Sequence, residues 1–171
     1  RAAQRRAIAI DCGSHDYLDN QELRKALAKA MPGGRKFDIL GCDACLMNML
    51  EIGYELKDAA DFMVGSEETE PAAGWPYADI LGPLVKRPTM APQDLARLIV
   101  TEYGRSYRGA ASPATQSALD LNRIQPVAEA VSDLADALMA DLGAVAADVS
   151  LCRDKTQKFA VPEYLDLGDF C

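Results

Sequence analysis

Short apolar runs alternate with longer segments of helical periodicity along the first two thirds of the chain. Ala7-Ile8-Ala9-Ile10 reads as a strand, followed by a polar loop from Asp11 to Asp19 that holds Gly13, Ser14 and His15. Asp19 with Glu22 three positions on predicts a capping box, and Leu23, Ala26, Leu27 and Ala30 follow at helical spacing up to the stop at Pro32-Gly33-Gly34. Phe37 to Cys42 predicts a second strand. It leads into a helix from about Leu46 to Asp58, apolar on most sides and therefore sandwiched. A third strand, Phe62-Met63-Val64-Gly65, runs into the acidic Ser66-Glu67-Glu68-Thr69-Glu70 and a loop from Pro71 to Tyr77. Pro92 opens a helix with Leu95, Leu98, Ile99 and Tyr103 on one face, and Ser117 to Leu121 predicts a fourth strand. From Ile124, the positions Val127, Val131, Leu134, Leu138, Met139 and Leu142 predict one long amphipathic helix extending towards Val149. Tyr164-Leu165-Asp166-Leu167 predicts a last short strand.

This alternation predicts an α/β fold, a mostly parallel sheet covered by helices on both faces, within a single domain spanning residues 1–171. Ligands of such sheets bind at the carboxyl ends of the strands, which is where His15, Cys45 and Ser66 to Glu70 are expected to lie.

Composition narrows the function classes. With 49% hydrophobic and 26% charged residues the chain can bury a real core, and no apolar stretch approaches the length of a membrane span. A formal net charge of −8 argues against a broad nucleic-acid surface and makes a basic peptide or a cation the more natural guest. The five cysteines, at 12, 42, 45, 152 and 171, are too sparse for a disulfide-stapled module, and with one His a structural metal site is not expected. Cys45, placed where strand turns into predicted helix, faces unpaired N–H groups that favour a thiolate, and is the best nucleophile candidate. Cys42 and Cys45 also form a Cys-x-x-Cys, which brings in a thioredoxin-like dithiol oxidoreductase as the alternative; Asp43 between them fits that chemistry poorly.

Several motifs in order, Cys42-Asp43-Ala44-Cys45-Leu46-Met47 with Glu51 and Tyr54-Glu55-Leu56, Val64-Gly65-Ser66-Glu67-Glu68, Glu70-Pro71 and Gly74-Trp75-Pro76-Tyr77, resemble the clostripain-like cysteine peptidases, relatives of caspases, gingipains and legumains. Ser117 to Leu121 and Tyr164 to Leu167 are also similar. The resemblance implies a caspase-like αβα sandwich, incomplete at the N-terminus, and hydrolysis of peptide bonds after Arg or Lys. It maps the nucleophile to Cys45 and the basic-residue pocket to Asp43, whose carboxylate would hold a guanidinium bidentately. Glu67, Glu68 and Glu70 are candidates to line the same pocket.

The family's general base is a His in a His-Gly motif, and this chain has none. The expectation is therefore that the base lies upstream of Arg1, on a His-bearing light chain, with His15 as a disfavoured second choice; an inactive peptidase-like binding module is a further alternative. Arg1, Arg5 and Arg6 would supply a processing site of the kind such enzymes cleave in themselves. The resemblance further implies a peptide or protein substrate with basic residues, a secreted or cell-envelope location, and calcium as a cofactor of some relatives, although no loop here has a recognisable calcium spacing.

Overall fold

The computed structural model describes residues 7–110 and 114–171. By internal contacts the chain divides into two compact units, Arg1–Ile124 and Gln125–Cys171.

In the first unit, β1 (Ala7–Asp11) and β2 (Asp16–Asp19) form an antiparallel hairpin. The segment expected to be a loop up to Asp19 is thus half strand, and four residues were too few for the alternation of Tyr17 and Leu18 to stand out. His15 sits in the hairpin turn with φ 57°. Helix α1 (Asn20–Ala30) starts as its sequence predicts: Glu22 N–H donates to Asp19 Oδ1 at 2.8 Å, and Asp19 N–H donates back to Glu22 Oε2 at 3.1 Å.

The central sheet has the order β3 (Phe37–Gly41), β4 (Ala60–Gly65), β5 (Ser117–Asp120) among the described residues. β3 and β4 are parallel, with Ile39 opposite Phe62 and Gly41 opposite Val64, whereas β5 runs antiparallel to β4. Met63 and Val64 are both fully buried although successive residues point to opposite faces, so β4 is covered on both sides.

Helix α2 (Leu50–Leu56) covers one face. Its Gly53 lies so close that an added Cβ would meet Ile124 Cδ1 at 2.7 Å and Leu119 Cδ1 at 3.1 Å. On the other face α3 (Tyr77–Lys86) and α4 (Pro92–Ser106) build a core of Val64, Trp75, Ile80, Ala96, Ile99 and Tyr103. α3 has no counterpart among the expected elements, because Gly82 and Pro83 interrupt its pattern and Tyr77, Leu81 and Val85 remain exposed. The α/β class and the layered arrangement of helices about a small sheet are those the alternating pattern predicts.

From Ile124, the last residue of the first unit, the expected single helix is two, α5 (Ile124–Ala140) and α6 (Leu142–Lys155), separated at Asp141, whose φ of −126° and ψ of 33° leave the helical region. The expected strand at Tyr164–Leu167 reduces to one bridge, Lys158 with Leu165, followed by the short helix α7 (Leu167–Phe170). Asp166 caps α7 by accepting from Asp169 N–H at 2.9 Å, and Asp169 Oδ2 in turn accepts from Gln157 N–H at 2.7 Å. These local bonds outcompete a strand of four residues.

Candidate active site

The loop from Cys42 to Met49 leaves the carboxyl end of β3 and is stitched to the segment that leaves β4. Cys42 N–H donates to Val64 O at 2.9 Å, Leu46 N–H to Glu68 O at 3.1 Å and Asn48 N–H to Ser66 O at 3.0 Å. Those bonds, together with the left-handed Leu46 at φ 60°, keep residues 46–49 out of the helix that the apolar pattern predicts. Met47 and Met49 are apolar because they are buried in the core, not because they lie on a helical stripe. Cys45 is therefore in a turn five residues before α2, and the helix-end argument for its thiolate does not apply.

Another donor stands in that place. The Sγ of exposed Cys45 accepts from the backbone N–H of Glu70 at 3.2 Å. Cys42, by contrast, is 4% exposed, and burial pushes its thiol up to about 11. A buried thiol held protonated is a poor partner for dithiol exchange.

Asp43 is exposed but fixed. Its Oδ2 accepts from Trp75 N–H at 3.1 Å and from the Tyr77 hydroxyl at 2.8 Å, and no described residue donates to Oδ1. Gly74 makes this possible. It has φ +67°, and a Cβ there would come within 2.9 Å of Asp43 Oδ2. Tyr77's hydroxyl is held above its ordinary range, first by the hydrogen bond to Asp43.

Glu70 is held at both oxygens, by Tyr103 Oη donating to Oε2 at 2.6 Å and by Trp75 Nε1 donating to Oε1 at 3.3 Å. Burial raises its carboxyl above the ordinary value, the two hydrogen bonds oppose that, and the charge of Asp43 adds to it. Trp75 thus serves two carboxylates at once, Asp43 through its main chain and Glu70 through its indole. Its ring is buried against the end of β3, where a Cβ on Gly41 would stand 3.1 Å away.

The acidic run divides by position. Glu70 is the member coupled to Asp43. Glu68 is buried, with its Oε1 accepting from Thr69 N–H at 2.8 Å, and the N–H groups of Glu67 and Glu68 both reach Thr115 Oγ1 at 3.2 Å. Ser66 Oγ completes that knot, 2.8 Å from Thr115 Oγ1. His15 does not join these groups on one sheet edge; it is exposed in the turn of the separate β1–β2 hairpin. Among the described residues no group of three or more His, Cys, Asp or Glu side chains could hold a metal ion.

Trp75 and Tyr77 carry part of the family resemblance, but nothing local assigns them to Asp43, from which they are separated by 32 and 34 residues. Tyr103 reads in sequence as plain helix core. Only the fold reveals its hydroxyl on Glu70.

The chain is similar to several solved structures, among them these three. A cysteine protease of B. fragilis superposes with a TM-score of 0.57 at 21% identity, over 70% of this chain and 49% of its own. A clostripain from Bacteroides thetaiotaomicron, in complex with the peptide inhibitor BTN-VLTK-AOMK, gives 0.65 at 22% over 95% and 67%. A secreted C11 cysteine protease from Bacteroides thetaiotaomicron, in complex with an irreversible peptide inhibitor, gives 0.61 at 25% over 74% and 37%. The chain therefore spans about half the length of the first of these and 37% of the third. Comparison with curated proteins returned no match. The sequence profile of the clostripain family matches residues 1–171, and with that match added to the loop that carries Cys45 and Asp43, the chain belongs to the clostripain family.

Proposed function

We propose that this chain is the Cys-bearing part of a cysteine endopeptidase that cleaves after Arg or Lys. The observation that carries the reading is the pairing of an exposed cysteine, whose sulfur accepts an N–H at 3.2 Å, with a carboxylate two residues away that is anchored through one oxygen only. The general base takes the proton of the Cys45 thiol, Sγ attacks the carbonyl carbon of the scissile bond, the protonated base gives that proton to the leaving amine, and water then hydrolyses the thioester. Asp43 Oδ1 accepts from the guanidinium or ammonium of the residue before that bond. Glu70, whose negative charge is repelled by that of Asp43, gains from the same cation. In the clostripain from Bacteroides thetaiotaomicron the inhibitor sequence VLTK ends in lysine, which is consistent with a basic guest.

The general base is proposed to come from outside residues 1–171. The chain's single His, His15, belongs to a hairpin of another sheet. The same family supports secretion as the proposed location, since two solved relatives are described as secreted. No helix among the described residues is long and apolar enough to cross a membrane. Replacing Cys45 by Ala in the complete enzyme tests the assignment: cleavage of an arginyl reporter peptide is expected to vanish, and persistence of cleavage would overturn it. The dithiol oxidoreductase alternative has no comparable support, because Cys42 is buried.

A further inference from the structure

We propose that Tyr103 is a positioning residue for Cys45, acting through the side chain of Glu70 to hold the Glu70 N–H on the cysteine sulfur. This rests on the reading of Cys45 as nucleophile. The Glu70 amide that meets Sγ at 3.2 Å belongs to the long connection between β4 and α3, whose main chain has no sheet or helix to fix it at that point. Glu68 and Thr69 before it are tied by their own bonds, and at Glu70 itself the anchor is the carboxylate. Tyr103 Oη donates to Oε2 at 2.6 Å and Trp75 Nε1 to Oε1 at 3.3 Å.

Both donors are core residues. Tyr103 is 1% exposed on α4, packs with Val64, Trp75, Ile80, Ala96 and Ile99, and has its ring 4.8 Å from that of Tyr107. The seating of α4 on the sheet is thereby transmitted through one hydroxyl and one carboxylate to an amide at the sulfur. A bond whose only role was to satisfy a buried hydroxyl would need no particular acceptor. Here the acceptor is the side chain of the same residue whose N–H faces the nucleophile. The titratable groups of this network are Asp43, Glu70, Tyr77 and Tyr103, in addition to Cys45.

The test is the pH dependence of iodoacetamide alkylation of Cys45, followed by mass spectrometry in the complete enzyme, for wild type and Tyr103→Phe. The profile of Tyr103→Phe is expected to shift upward, so that alkylation below the midpoint slows about three- to tenfold while the high-pH plateau is kept; one hydrogen bond supplies a shift of about 0.5 to 1 pH unit. Turnover of an arginyl reporter should fall by a similar factor with KM unchanged, because Asp43 is intact. A role confined to packing would lower the melting temperature and leave the profile where it was, and superimposable profiles would overturn the proposal. Glu70→Ala serves where Tyr103→Phe does not fold. Losing a nearby carboxylate by itself eases thiolate formation, so an upward shift in this variant supports positioning, and an unchanged or lowered midpoint overturns it. Cys45→Ala in the same reporter assay separates the two ideas. Persistent cleavage defeats the nucleophile reading and the proposal with it, whereas lost cleavage with an unshifted Tyr103→Phe profile defeats the positioning role alone.

Discussion

Asp43 shows how one side chain can be both fixed and available. Its Oδ2 is tied to Trp75 and Tyr77, so under the proposed function a substrate cation would meet an oriented Oδ1 without first ordering the carboxylate. Breaking a desolvated charge pair from one side costs on the order of 2 to 5 kcal/mol, so Asp43→Asn should lower turnover of arginyl peptides by on the order of tens-fold or more. Peptides with an uncharged residue at that position should lose much less, and an equal loss on both would make Asp43 a structural residue. Glu70 gives a pH signature. Its folded-state pKa lies above the ordinary value of 4.5, first because of burial. The native state therefore binds the proton more tightly than the unfolded one. The stability this contributes is complete below 4.5 and is lost as pH rises through the folded pKa. Relative to Glu70→Gln, which does not titrate, the wild type should lose melting temperature over that window as pH is raised; parallel curves would contradict the assignment. Cys42→Ser should keep peptide cleavage while losing stability, about 1 to 3 kcal/mol for a buried hydroxyl left without a partner.

At the scale of elements, the Gly74 turn joins the two loops of the site. Gly74→Ala forces a side chain into φ +67° and puts a methyl 2.9 Å from Asp43 Oδ2. It should destabilise by about 1 to 3 kcal/mol in urea unfolding and depress arginyl turnover beyond what the stability loss explains. Elements whose signals are local were legible in the sequence. The Asp19–Glu22 box starts α1 where expected, and β3, β4 and α4 stand close to their apolar runs. What was not legible depends on partners far along the chain. Leu46 to Met49 carry a helical apolar pattern, yet main-chain bonds from Leu46 and Asn48 to Glu68 and Ser66 keep them out of the helix. α3 was hidden by its internal Pro83 and exposed apolar positions, and α5 and α6 part at Asp141, within an apolar spacing that runs on to Leu142. For the candidate site, the loop that carries Cys45 and Asp43 was legible as a family motif, whereas the donors to Asp43 and Glu70 come from residues that only folding brings alongside.

For the whole molecule, the chain corresponds to 37–67% of the length of the three solved relatives described above. If the base lies outside residues 1–171, as proposed, this chain alone should cleave arginyl peptides slowly. Adding the His-bearing segment should restore turnover, and His15→Ala in the assembled enzyme should change nothing measurable. A chain of residues 1–171 that was fully active and lost activity on His15→Ala would make His15 and Cys45 the dyad. The most direct test of the central claim is covalent labelling of the complete enzyme with a thiol-reactive arginyl ketone, mapped by peptide mass spectrometry. The expected result is stoichiometric modification of Cys45, strongly reduced by Asp43→Asn and unaffected by Cys42→Ser. Modification of another cysteine with Cys45 left free, in enzyme inactivated by the label, would contradict it.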